Sequence, residues 1–305
     1  MLFQKILALL LSLISGVASL FGVTMKDAYE PDAFPIISVE EKAPDAIRIA
    51  SFNVRCADVN GTPAILRRQL VQEEILRIAP DSIGVQEATT DWMAYLRLIP
   101  GYGAFGEGRD GGISGEHSAI LYNRSKYRLM AGDTFWLNET KSKKQIGWDA
   151  ALNRICTWVV LENRETGAQY AHVNTHFDHA GAQARLESAK LILAFIRDNF
   201  ADLPVILTGD LNVEQSSEAY QLFAGNLTDA RENAPDSRTV GSFHDGNAGL
   251  YPYDLDYIFC GAKVSPLVFR TVTDGVNGRY VSDHFPIYAD VTMEPVTGVF
   301  QKTVS

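Results

Sequence analysis

The chain has 305 residues, 46% of them apolar and 21% charged, and a formal net charge of −10. That length and apolar share can bury one sizeable core, and ordinary Gly and Pro totals with no internal repeat exclude disordered, collagenous and repeat-array proteins. No Lys/Arg cluster rises above the background, and Lys141, Lys143 and Lys144 form only a short run, which argues against a broad nucleic-acid footprint, although a bound cation can supply local positive charge.

At the N-terminus Lys5 precedes an apolar run over residues 6–14, followed by small residues from Ser15 to Ser19. Residues 1–23 therefore read as a signal peptide, with Gly16 and Ala18 in the small positions before the cut. Apolar character continues through Leu20, Phe21 and Val23, so an uncleaved membrane anchor is the alternative. Either form places the protein outside the cytoplasm, secreted or held on the outer face of the cell membrane. Residues 24–45 read as a polar linker broken by Pro31, Pro35 and Pro44.

From residue 46 strands and helices interleave. Ile47 to Val54 reads as a strand, and Ala64 to Ile78 as a helix with apolar residues Ile65, Leu66, Leu70, Ile75 and Leu76. Pro80-Asp81 stops it. Ser82 to Gln86 is a strand ending in Glu87, and Ala88 to Leu98 a helix. Residues 101–116 are Gly-rich and loop-like. Ser118 to Tyr122 and Tyr127 to Phe135 read as strands around an Asn123-Arg124 turn. Ile155 to Leu161 and Gln169 to Thr175 form a hairpin across Glu165-Thr166-Gly167. Ala182 to Asn199 is a long helix, and Val205 to Leu207 a buried strand broken by Gly209. Leu255 to Phe259, Val264 to Val272 and Ile287 to Val291 complete the strands, and residues 294–305 form a tail. Interleaving with several close strand neighbours predicts an α/β fold with mixed sheets. Cys56, Cys156 and Cys260 are far apart; Cys156 and Cys260 read as small core residues, and spacing cannot choose a disulfide pair.

The informative pattern lies at the strand ends. Asn53 closes Ser51-Phe52-Asn53, Glu87 closes Gly84-Val85-Gln86-Glu87, and His176 follows Val173-Asn174-Thr175. Asp210 and Asn212 follow Thr208-Gly209; Asp256 sits in Leu255-Asp256-Tyr257; Asp283 and His284 sit in Ser282-Asp283-His284. Each alone is a plausible turn residue or satisfied core group. Six such placements in order point to a site at the carboxyl ends of the strands.

SFNVR at 51–55, QE at 86–87, NTHFDH at 174–179, GDLN at 209–212, LDYIF at 255–259 and SDHFP at 282–286 stand in the order found in the endonuclease/exonuclease/phosphatase superfamily, which the chain resembles over residues 46–293. The resemblance implies a DNase I-like four-layer α/β/β/α sandwich, two mixed β-sheets flanked by helices. It also implies a metal-dependent hydrolase of phosphate esters.

On that resemblance Mg²⁺ or Mn²⁺ is held by Glu87, with Asn53 and Asp283 near or in its shell; hard cations take such oxygens and keep waters. His284 pairs with Asp256, Asp210 orients or deprotonates the attacking water, Asn212 donates to the phosphate, and His176 donates to a phosphate oxygen or the leaving group. Whether Asp210 or His284 is the base stays open. Arg154 reads equally as a surface arginine; the family places an arginine near here beside the phosphate. Trp136, Trp148, Glu116 and Asp178 could line the pocket or serve packing.

The substrate is a phosphate ester of open identity: sugar or inositol phosphate, phospholipid or nucleic acid, the last not indicated by charge. A non-catalytic binding module on this scaffold and a purely structural exported domain are the competing readings. The former predicts broken catalytic positions and the latter needs no aligned polar strand ends. A membrane partner enters only through the N-terminal segment, and a monomer is expected.

Overall fold

The computed structural model describes residues 35–59, 62–245, 253–276 and 280–301. The signal peptide or anchor expected over residues 1–23 and the first part of the linker lie outside the described residues. No helix among the described residues is long and apolar enough to cross a membrane.

In chain order the elements are β1 (Ile47–Asn53), α1 (Ala64–Ile78), β2 (Ser82–Ala88), α2 (Thr90–Leu96), β3 (Tyr102–Phe105), β4 (His117–Asn123), β5 (Tyr127–Trp136), β6 (Ile155–Asn163), β7 (Gln169–His176), α3 (Ala182–Phe200), β8 (Val205–Asp210), α4 (Glu218–Ala224), β9 (Thr228–Asp229), α5 (Ala230–Asn233), β10 (Asp236–Arg238), β11 (Asp256–Cys260), β12 (Val264–Thr271) and β13 (Ile287–Met293). One sheet has the order β10-β12-β13-β1-β2-β4-β3 and the other β5-β6-β7-β8-β11-β9. Both are mixed: β1 runs parallel to β2 and β7 parallel to β8, while β13 and β11 return antiparallel. The strands β1, β2, β8 and β11 are almost wholly buried, as expected where both sheet faces are covered. Three apolar clusters account for the four layers. One joins α1 and α2 to the first sheet, one joins α3 and α4 to the second, and one lies between the sheets.

The space between the sheets is graded. Inward positions, two apart along a strand, run Ile49, Ser51, Asn53 on β1 and Ile206, Thr208, Asp210 on β8. On antiparallel β11 the sequence runs backwards, Cys260, Ile258, Asp256. One end of the interior is therefore apolar and the other carries carboxylates. A hydrogen-bonded band lies between. His172 joins Ser82 Oγ (2.8 Å) to Thr208 Oγ1 (2.9 Å), Thr208 donates to Asn174 Oδ1 (3.0 Å), and Gln86 donates to Asn174 (2.8 Å) and Ser51 (3.0 Å). The sheets approach so closely here that a Cβ on Gly84 would lie 2.1 Å from Thr208 Oγ1 and 2.4 Å from Asn174 Oδ1.

Several expectations are corrected. Strands β4 and β5, read as neighbours around Asn123-Arg124, belong to different sheets, so that turn carries the chain across the sandwich. Gly209 does not break its strand: β8 continues through Asp210, and Gly209 lets the strand pass Thr175, whose carbonyl would be 2.7 Å from an added Cβ. The loop expected over 101–116 contains β3. Strand β2 extends past Gln86, and α2 is shorter than expected because Thr89 caps it by accepting from the Trp92 N–H. In α1 the buried face is Arg67, Val71, Glu74, Ile75 and Ile78, while Ile65 and Leu76 are exposed. Cys156 and Cys260 are buried core residues as expected, and all three cysteines are free.

Residues near both ends of the described chain lie on the domain. Ile37 N–H donates to Thr273 Oγ1 (2.8 Å), Gln169 N–H donates to the Val296 carbonyl (2.7 Å), and the Phe300 ring packs on Phe200.

Candidate active site

Strand register places the site. His176 lies opposite Asp210 across the parallel β7–β8 pair, and Asp256 lies opposite Asp210 across the antiparallel β8–β11 pair. Three adjacent strands thus present a histidine and two carboxylates in a row. On the facing sheet Asn53 ends β1 beside Gln86, and Glu87 follows at a bulge in β2. Glu87 and Asn212 both have positive φ, 57° and 50°. Non-glycine residues adopt this conformation at a cost and concentrate at functional sites.

Asp210 is the hub. Its carboxylate accepts from Asn53 Nδ2 (2.8 Å) and the Asn212 backbone N–H (2.9 Å), and it lies 3.6 Å from His176 Nε2 and 3.8 Å from His284 Nε2. Asn53 Nδ2 also donates to Glu87 Oε1 (3.1 Å) on its own sheet, so Asn53 joins Glu87 to Asp210 on the facing one. The Asn212 amide lies 3.1 Å from His176 Nε2 and donates to the Phe177 carbonyl (3.0 Å). His284 Nδ1 sits 2.7 Å from Asp256 Oδ2, and the Phe243 ring covers the imidazole at 4.8 Å between centroids. Ser282 Oγ donates to the Asn53 carbonyl (2.7 Å), tying the 282–284 turn to β1.

Electrostatics separates these groups. Burial works against a charge on His284, but Asp256 outweighs it, aided by Asp210 and Asp283, and raises the imidazole to about 10. Burial and then Asp256 push Asp210 up to about 7, against the pull of His284 and Asn53. Burial, with Arg154 next, holds His176 well below its ordinary value. Glu87 is lowered to about 2: burial opposes ionisation, and His176, the Cys56 backbone N–H at 2.9 Å and Arg55 outweigh it. Since burial keeps His176 neutral at neutral pH, the N–H and Arg55 are what stabilise that charge. The arrangement favours a protonated His284 and an ionised Glu87 and raises Asp210 between them.

Arg154 is buried at the same edge. It donates to Asp178 Oδ2 (3.2 Å), its Nη2 lies 3.1 Å from His179 Nδ1, and it lines a small recess with His176, Glu116 and Arg109. Glu116 is in the site: its Oε2 is 4.0 Å from His176 Nδ1, and Arg109 pairs with it at 2.9 Å. Asp178 and Trp136 serve structure. Asp178 accepts from the backbone N–H groups of Ala151, Ala180 and Gly181, fixing the loop that carries Arg154. Trp136 is buried and donates to the Arg109 carbonyl (2.7 Å). Trp148 is fixed through its backbone N–H to Glu139 (3.1 Å).

The donors at the Glu87 edge fit a hard divalent cation. Glu87 and Asp283 are buried carboxylates beside the Asn53 amide, and a cation of the chain itself already lies between them. The Arg55 guanidinium is 3.8 Å from Glu87 Oε1 and 3.3 Å from Asp283 Oδ2. Across the site Asp210, Asp256 and His284 each present one potential ligand atom, mutually within 4.8 Å, and Asp256 Oδ1 is buried without a hydrogen-bond partner among the described residues.

Sequence reasoning passed over Arg55, Ser282 and Arg67. Arg67 is fully buried and donates to the carbonyls of Val54 (2.8 Å), Val281 (2.6 Å), Arg55 (2.8 Å) and Ala57 (2.6 Å), clamping the loops that carry Asn53 and Asp283. Its signal was available: it stands four residues before Val71, on the stripe that α1 buries.

Residues 50–284 match the model of the Endonuclease/Exonuclease/phosphatase family. Among solved structures, an endonuclease/exonuclease/phosphatase from Bacteroides vulgatus is 33% identical, with 82% of this chain and 99% of that chain covered and a TM-score of 0.77. The mannosyl-6-phosphatase of Bacteroides thetaiotaomicron is 32% identical, with 81% and 100% covered and a TM-score of 0.76. Nocturnin of Drosophila melanogaster is 26% identical over 180 residues, 52% of this chain but 26% of that protein, so the chain spans about a quarter of that relative's length. The two-sheet, helix-flanked sandwich expected from the sequence is the fold shared with these structures.

Proposed function

The chain belongs to the endonuclease/exonuclease/phosphatase family and is a phosphoesterase, and from that premise we propose an exported, divalent-metal-dependent hydrolase of small phosphorylated sugars. The observation that carries the reading is Asp210, surrounded by the two histidines and two asparagine groups and joined through Asn53 to Glu87. The sugar class is supported by the resemblance to the Bacteroides thetaiotaomicron mannosyl-6-phosphatase and by the cleft next to His176. That cleft, about 460 Å³, is lined by Thr89, Thr90, Asp91, Arg109, Gly115 and Glu116. These are partners for hydroxyl groups, with no aromatic face on which a base could stack. Export is motivated by the basic, apolar and small-residue succession over residues 1–23.

A divalent cation held by Glu87, with Asn53 and Asp283 beside it, would offset phosphoryl charge as a Lewis acid. The chain's own groups do the rest. Asp210 accepts the proton of the attacking water, since its carboxylate stands at the site between the two histidines, while His284 is engaged through Nδ1 by Asp256 at 2.7 Å. The imidazolium of His284, the Asn212 amide and the Arg154 guanidinium donate to phosphoryl oxygens as negative charge gathers there. His176, with Glu116 behind its Nδ1, faces the leaving oxygen.

The test is hydrolysis by the purified exported chain, stripped with EDTA and then supplied with Mg²⁺ or Mn²⁺, read as inorganic phosphate from monoesters, p-nitrophenol from the bis-p-nitrophenyl ester, shortened strands from nucleic acid and phosphocholine from sphingomyelin. Substrates are hexose 6-phosphates, inositol phosphates, bis-p-nitrophenyl phosphate, DNA, RNA and sphingomyelin vesicles. We expect metal-restored activity with the highest kcat/KM on hexose phosphates. Equal activity without metal, or activity confined to polynucleotides or lipid, would refute the reading. N-terminal sequencing of protein from the medium or membrane should find a cut near residues 18–22 or an intact anchor; full-length chain in the cytosol would argue against both.

A further inference from the structure

Arg55 stands where the cation of the proposed mechanism would act. Three observations make this a built position. First, Arg55 has φ 55°, a left-handed conformation that costs a bulky residue energy and needs outside support. Second, that support is present on both sides of the residue: its N–H donates to Asn53 Oδ1 (3.0 Å) and its carbonyl accepts from Arg67 Nη2 (2.8 Å). The turn folds the side chain back over the strand it has just left. Third, the guanidinium then lies between Glu87 and Asp283, whose carboxylates come from different strand ends and are otherwise two like charges at one buried edge. Arg55 itself is 39% exposed, so it can leave toward solvent without unpacking the core.

We propose that Arg55 is a resident counter-ion for the metal site: its guanidinium bridges Glu87 and Asp283 when the site is metal-free and competes with the divalent cation for the same oxygens. The inference rests on the metal reading given above and goes beyond it in naming what sets the affinity. A competitor tethered to the chain acts at every metal concentration. It lowers the fraction of sites ready to bind, and the apparent Kd rises in proportion. It also keeps two carboxylates from repelling each other in the empty protein. A purely structural arginine would do the second but not the first.

The experiment is titration calorimetry of Mn²⁺ into EDTA-stripped wild type, Arg55→Gln and Arg55→Lys, with thermal unfolding of each with and without metal. Arg55→Gln keeps a polar end on a side chain two atoms shorter and removes the charge. It should bind Mn²⁺ roughly two- to fivefold more tightly, the scale on which a partly exposed ion pair depletes the free site. Its metal-free melting temperature should fall, and its gain on adding Mn²⁺ should exceed that of wild type. Arg55→Lys, which keeps the charge, should stay close to wild type. An Arg55→Gln variant that melts cooperatively but binds Mn²⁺ with unchanged or weaker affinity overturns the inference while leaving the metal reading intact. Absence of Mn²⁺ binding in wild type overturns the metal reading and the inference with it.

Discussion

Gly84→Ala isolates how the sheets are held beneath the site. Gly84 lies on β2 with its missing side chain facing the second sheet, and an added Cβ would be 2.1 Å from Thr208 Oγ1 and 2.4 Å from Asn174 Oδ1. Neither atom can step aside freely, since Thr208 is bonded to Asn174 and His172, and Asn174 also binds Gln86 and the Val85 and Ala119 carbonyls. Overpacking of a buried position costs about 1–3 kcal/mol. Breaking the Thr208–Asn174 and Gln86–Asn174 bonds adds about 1 kcal/mol each. The expected loss is therefore about 3–5 kcal/mol, a large part of the roughly 5–15 kcal/mol that holds a domain folded. Urea unfolding followed by circular dichroism measures it. Thr208→Ala removes the closest obstacle, so the double variant should be less destabilised than the sum of the singles by about 1–2 kcal/mol. A Gly84→Ala protein within about 1 kcal/mol of wild type, or strict additivity with Thr208→Ala, would refute the close approach as the source of the cost.

Glu87→Gln preserves shape but removes the one carboxylate held down to about 2 at the metal edge; calorimetry should show weaker Mg²⁺ binding and kinetics a large loss of activity, and unchanged metal affinity would remove Glu87 from the ligand set. His284→Ala should lower kcat by roughly a hundredfold or more, Asp256→Asn nearly as much, and the double variant little further, because the 2.7 Å pair acts as a unit; multiplication of the two single losses would mean they act independently. His172 is fully buried, and burial lowers its imidazole from an ordinary 6.5 to about 3. The native state thus prefers it neutral, so its contribution to stability is complete above about pH 6.5 and is lost as pH falls toward 3. Between pH 6.5 and 5 this single group should remove about 2 kcal/mol, and in His172→Gln the urea-derived loss over that interval should shrink by about that amount; an identical pH slope in the two proteins would contradict the assignment.

The strand ends were legible because alternation along a strand is a local property, and Asn53, Thr208 and Asp210 follow apolar partners at the spacing that keeps them on one face. Which strands pair is not local. The short link between Asn123 and Tyr127 looks like a hairpin turn, yet β4 and β5 diverge into separate sheets. The two- and three-residue strands β9 and β10 are too short for any period to register. Arg67 was hidden by the ordinary weighting of charge as surface, and Glu74 on the same buried face was hidden in the same way. Arg55 was quoted within its motif, but only the backbone conformation after β1 reveals that its side chain returns to Glu87 and Asp283.

The four carbonyls gathered by Arg67 have a consequence for how this site can change over generations. Every acceptor is a main-chain oxygen, at residues 54, 55, 57 and 281; Val54 and Val281 are held by the core and Arg55 by Glu87 and Asp283, but the clamp itself asks nothing of the side chains at those positions. The constraint is concentrated instead in one codon on α1, away from the reacting groups. Lysine there carries the charge but offers a single nitrogen, which cannot span carbonyls on two separate loops as a planar guanidinium does. Replacement of Arg67 would be felt at Asn53 and Asp283 together. The clamp should therefore be indifferent to the side chains whose carbonyls it holds and strict at a helix residue that never meets the substrate.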